Sequence, residues 1–234
     1  GEANATITGA IYQAAFANGE DIRPQDLSTL SVTTAIASGA DAVAAITNAG
    51  TITIAAKASA TGLTSAEATA QVINGFYQQA TGNVAVDQLT NSGKIDVTAD
   101  AFASAAKADA SALIEPAVHQ LVNGATSATM SFANSGTFSA VGHATAIGDS
   151  AYARVVAQGV VQESNSGAPA LAKFANTNSF NVAANALATD ATNGVVSAVA
   201  TGLGVYDNIG EVDISNSGTF TVSATGLGAN DAIA

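Results

Sequence analysis

The sequence predicts an all-β fold, a parallel β-solenoid of about five repeats of 40–43 residues. Three observations predict it. An Asn-centred segment recurs five times, apolar and polar residues alternate with period two around it, and most of the apolar residues are too small to fill an ordinary globular core.

The recurring segments are Ile46 to Ile54, Leu89 to Val97, Phe132 to Ala140, Phe174 to Val182 and Ile214 to Val222. Their anchors, Asn48, Asn91, Asn134, Asn176 and Asn216, are spaced by 43, 43, 42 and 40 residues. Two positions after each anchor stand Gly50, Gly93, Gly136, Asn178 and Gly218. Two positions further on stand Ile52, Ile95, Phe138, Phe180 and Phe220, and then Ile54, Val97, Ala140, Val182 and Val222. The next alternate positions are Ala or Gly, as in Ala56, Ala58 and Ala60, while the intervening ones are mostly Thr, Ser, Lys, Asp or Asn. Side chains two apart share one face of a strand, so this alternation reads as β and not as helix.

A second block in each repeat runs from a Gly into apolar residues and often Gln: Gly9 to Gln13, Gly75 to Gln78, Gly159 to Gln162 and Gly204 to Asp207. A shorter run, such as Val84 to Val86, leads to the next anchor, so a repeat holds three to four strands. One repeat cannot bury its apolar face alone, but stacked copies can. Stacking places Ile52 below Ile95 and Ile95 below Phe138, a ladder at the ~4.8 Å spacing between strands. Forty residues is long for an ordinary single coil, so each repeat is expected to make either two coils or one large coil. The anchor Asn and the Gly after it are expected to turn the chain by adopting left-handed backbone angles, and stacked Asn amides to hydrogen-bond along the axis. Residues 1–234 read as one continuous array, with an insertion or loop at 20–40, beginning and ending within a repeat. No polar cap is visible at either end, which predicts self-association by head-to-tail stacking or continuation into a longer array.

Composition narrows the function. Eighteen Asp and Glu face six Lys and Arg, a net charge of −12 that opposes binding to nucleic acid or to anionic membranes. No segment reads as a transmembrane helix, and none of this chain is expected to insert in a membrane. Cys is absent, which removes thiol chemistry.

The five Asn-x-Gly-like anchors with their Ile/Phe and Val columns resemble the long Asn-x-Gly-x-Ile repeats of bacterial secreted β-solenoids, found in autotransporter-like passengers and giant surface adhesins. The resemblance spans nearly the whole chain. It implies export to the bacterial cell surface and a role in adhesion, biofilm matrix or filament formation, with surface glycans as candidate partners.

The chain carries few residues suited to chemistry. His119 and His143 are the only histidines, both read as solvent-facing, and neither has metal-ligand spacing with a second His. Acidic residues recur at Glu67, Asp109, Asp149, Asp190 and Asp231, 14 to 19 residues after each anchor. They read first as solvated turns, with calcium held between stacked acids as the sharper option. No catalytic or cofactor-binding set is expected, and no cofactor besides that calcium. The leading expectation is a non-enzymatic extracellular structural protein. One alternative is a polysaccharide-degrading or glycan-binding β-helix, although Arg23 and Arg154 are the only arginines available to handle a polyuronate. A further alternative is an ice-binding solenoid on Thr51, Thr53, Thr219 and Thr221, whose columns Lys94, Asp96, Ser179 and Asn181 interrupt.

Overall fold

A computed structural model describes residues 1–16, 30–35, 41–189, 192–228 and 231–233. All its elements are strands, and nearly all of them pair in parallel. The first complete coil takes in β4 (Asp41–Asn48), β5 (Thr51–Thr61), β6 (Ser65–Ile73) and the first part of β7 (Phe76–Asn91). The second part of β7 opens the next coil, which continues through β8 (Lys94–Ser104), β9 (Lys107–Glu115) and the start of β10 (Val118–Asn134). Then follow β11 (Thr137–Ile147), β12 (Ser150–Ser164), β13 (Ala170–Asn176), β14 (Ser179–Thr189) and β15 (Asn193–Asp207). The chain finishes with β16 (Ile209–Asn216), β17 (Thr219–Leu227) and β18 (Asp231–Ile233). At the other end β1 (Glu2–Thr8) pairs with β6, and β2 (Ile11–Phe16) with β7.

Each repeat makes one coil. Asn48 pairs directly with Asn91, Asn91 with Asn134, Asn134 with Asn176 and Asn176 with Asn216. Of the two expected arrangements, the structure takes the single large coil. The whole 40–43-residue period is spent on one circuit because that circuit has four walls. The long wall is β5, β8, β11, β14 and β17. The facing wall is β1, β6, β9, the starts of β12 and β15, and β18. The short wall holds β2, the starts of β7 and β10 and the ends of β12 and β15. The return wall holds β4, the ends of β7 and β10, β13 and β16.

Side-chain size sets the cross-section. Long and facing walls meet through Ala56, Ala58 and Ala60 against Ala66, Ala68 and Ala70, all buried, so the backbones lie close. The large residues collect where the return wall faces the start of the long wall. Phe132 of the return wall stands edge-on to Phe138 of the long wall, with ring centroids 5.4 Å apart. Phe138, Phe180 and Phe220 stack face to face along the axis at 4.7 and 4.8 Å. A second, smaller core lies between the short and return walls around Ala80, Ala85, Val122 and Met130.

The ladder of Ile52, Ile95, Phe138, Phe180 and Phe220 is in register as expected. The explanation offered for the glycines is not. Among the described glycines only Gly9 and Gly148 have positive φ. Gly93, Gly136 and Gly218 are required for close approach instead: a Cβ there would strike the backbone carbonyl oxygens of Gly50, Gly93 and Asn178 in the coil below. Among the described residues the left-handed non-glycines are Asn74 and Asp207. The Gly-to-Gln block also differs from its expected alignment in the last coil. Val205 pairs with Gln162, so the counterpart of Gly159 is Gly202, two residues before Gly204. Most of the 20–40 segment lies outside the described residues. Its described part, β3 (Leu30–Ala35), pairs antiparallel with β4, the one such pair among the described strands.

Candidate functional site

Two ladders of buried amides run along the interior. In the first, the side-chain amide of Asn48 donates to Asn91 Oδ1 at 2.8 Å, Asn91 to Asn134 at 2.7 Å, Asn134 to Asn176 at 2.7 Å and Asn176 to Asn216 at 2.8 Å. Each donor also reaches a backbone carbonyl of the next coil, at Lys94, Thr137, Ser179 and Thr219. The anchor therefore welds one coil to the next at the corner between return and long walls.

The second ladder consists of Gln13, Gln78, Gln120 and Gln162, all buried. Gln78 donates to Gln13 at 3.3 Å, Gln120 to Gln78 at 3.0 Å and Gln162 to Gln120 at 2.8 Å. The same amides cross the coil to return-wall carbonyls at Gln88, Ser131 and Lys173. This ladder separates the two cores and ends where Val205 takes the next place, leaving Gln162 Oε1 without a partner. The Gln residues were visible as a sequence motif, but their inward direction was not. The signal was their position two places after Phe76, Val118 and Val160, which are all buried.

The acidic residues do not form one column. Glu2, Glu67 and Asp109 are in register on the outside of the facing wall, but Tyr152 and Val195 take the next two places. Asp231 returns to that column beside Val195, while Asp149 lies in the turn before β12. Asp190 lies outside the described residues. Burial and the Glu67 carboxylate raise the Asp109 pKa, against the pull of Lys107. Among the described residues no three His, Asp or Glu side chains group in a way that could hold a metal ion.

The histidines differ from each other. His143 is exposed on the long wall, as expected. His119 is half-buried on the short wall, which corrects its reading as solvent-facing. Its ring bridges three coils, with Nδ1 3.2 Å from Asn74 Oδ1 and Nε2 3.2 Å from Glu163 Oε2. Tyr77 meets it edge-on, and Tyr12 stacks on Tyr77. Burial lowers the His119 pKa, opposed by the Glu163 carboxylate.

One buried acid escaped the sequence reading. Asp87 points into the smaller core, fully buried, in the column of Ala44, Met130 and Ala172. Neither carboxyl oxygen has a hydrogen-bond partner of good geometry. Burial pushes its pKa well above the usual carboxylate range, and only the Leu121 backbone amide pulls the other way. Its alternation phase, two places before Leu89, is the signal that it faces inward.

Comparison with known proteins finds no matching family model, no matching curated protein and no matching solved structure.

Proposed function

We propose that this chain is a non-catalytic structural protein whose coils stack into a rod, filament or surface fibre outside a bacterial cell, serving adhesion or matrix formation. The observation that carries this reading is the Asn ladder, an unbroken hydrogen-bonded row through five coils. The special residues recur along an axis. A catalytic centre gathers different groups at one point. Each coil presents parallel strands and an amide row that can direct the addition of another coil with the same repeat. A net charge of −12 keeps the sides of such assemblies from clumping.

Dimensions make further coils necessary. Five coils at ~4.8 Å give roughly 25 Å along the axis. An eleven-residue strand such as β5 spans roughly 36 Å across it. The described coils alone are a slab wider than it is tall, and elongation requires more coils, from other copies or from a longer array. Electron microscopy of the purified chain over a concentration series tests the reading. Rods or stacks several times the height of the slab are expected. Single slabs at every concentration would overturn it.

A further inference from the structure

On the outside of the long wall, β5, β8 and β11 enclose a shallow depression of about 360 Å³. Each of the three coils contributes two outward side chains. One row is Lys57, Asp100 and His143, and the row beside it is Ser59, Phe102 and Thr145. Lys57 Nζ lies 3.4 Å from Asp100 Oδ2, which leaves the pair nearly neutral as seen by a ligand. Phe102 is the only phenyl ring at an outward position of the described long wall, where its register neighbours are Ser59 and Thr145. The interior rings Phe132, Phe138, Phe174, Phe180 and Phe220 interlock with one another. Among the described residues no such ring contact accounts for Phe102.

A phenyl ring left half-exposed between hydroxyls and a compensated charge pair matches one ligand chemistry. The ring offers a flat apolar surface, and the ammonium, carboxylate, imidazole and hydroxyl groups offer donors and acceptors around it. A pyranose has the complementary surface, an apolar face of C–H bonds edged by hydroxyls. The strongly acidic chain disfavours an anionic ligand. Three coils extend roughly 10 Å along the axis, the scale of two sugar rings, and the volume lies in the small-ligand range.

We infer that the depression around Phe102 is a binding site for a neutral pyranose-based glycan. The inference does not depend on rod formation, because it concerns the side of the coil and three coils suffice to build it.

Affinity electrophoresis of the purified chain tests it, in gels containing a neutral β-glucan, galactomannan or xylan, with polygalacturonate as the acidic comparison. At least one neutral polysaccharide retards the wild type. Phe102→Ser gives this position the hydroxyl of its neighbours and weakens retardation about ten-fold. Tyr152→Ser, on the facing wall, leaves it unchanged. Circular dichroism confirms the β fold of both variants, and Phe102→Thr serves if the first fails to fold. Retardation by none of the neutral glycans, preference for polygalacturonate, or full retention of binding without Phe102 would each overturn the assignment. Slabs that never elongate would refute the rod and leave this result standing.

Discussion

Replacing Asp87 by Ala should stabilise the protein, and by more as pH rises. The folded state places a carboxyl in an apolar core with no partner of good geometry. An unsatisfied buried polar group costs about 1–3 kcal/mol. Ala44 and Ala172 occupy the same column without difficulty, and the small void left by the carboxyl returns well under 1 kcal/mol of that cost. Asp87→Ala is therefore expected to gain about 1 kcal/mol at about pH 3, where the acid is protonated in the folded state and largely so in the unfolded state. Above that pH the unfolded chain releases the proton while the folded chain keeps it, because burial raises the folded pKa. The folded state then binds more protons than the unfolded state, so wild-type stability falls by about 1.4 kcal/mol per pH unit until Asp87 ionises in the fold. The advantage of Ala should begin to widen near pH 4 and reach that rate above about pH 5. Asp87→Asn keeps the polar shape and removes the ionisation, so its stability should run parallel to that of Ala. Urea unfolding at a series of pH values measures all three, provided the slopes with denaturant agree between variants. An advantage that is the same at pH 4 and pH 7, or an Ala variant less stable than wild type at pH 7, would refute the reasoning.

Gly142 and Val155 form a size-compensated pair. A Cβ on Gly142 would lie 2.5 Å from Val155 Cγ1, while the neighbouring coils place Ala at both positions, as in Ala99 and Ala112. Gly142→Ala should cost about 1–3 kcal/mol by overpacking, and adding Val155→Ala should recover most of it, read as the coupling in a double-mutant cycle. Asn134→Ala, in the middle of the amide ladder, strands the Asn91 donor and the Asn176 acceptor. It should cost about 3 kcal/mol in denaturant unfolding. Asn216→Ala strands only one donor, that of Asn176, and should cost clearly less.

Much of this was legible before any coordinates. Period-two alternation marked the inward face, so the order of Ile95, Val97, Ala99 and Ala101 along the long wall could be read directly. Recurrence marked the stacking, because residues in the same column must make the same contacts. The Asn ladder was legible for both reasons at once. Asp87 and the Gln ladder were harder. Alternation assigns a face to a residue, but it does not say whether a polar side chain on that face meets a partner. That depends on the wall opposite, which recurrence within one wall does not reveal.

The amino-acid sequence alone determined that this chain is a stack of parallel strands, which residues share the columns around each anchor Asn and that the apolar ones among them face inward. These are local and periodic properties, set by backbone pleat and by the repeat length. The tertiary structure decided how many coils a repeat makes, which walls face each other and why the anchor glycines are needed. It also decided that His119 is tied across three coils while His143 stands free in its row. Those outcomes depend on the closure of the circuit. A four-walled circuit brings together residues some ten to forty-five places apart, and the distances between walls are fixed by the side chains that fill them.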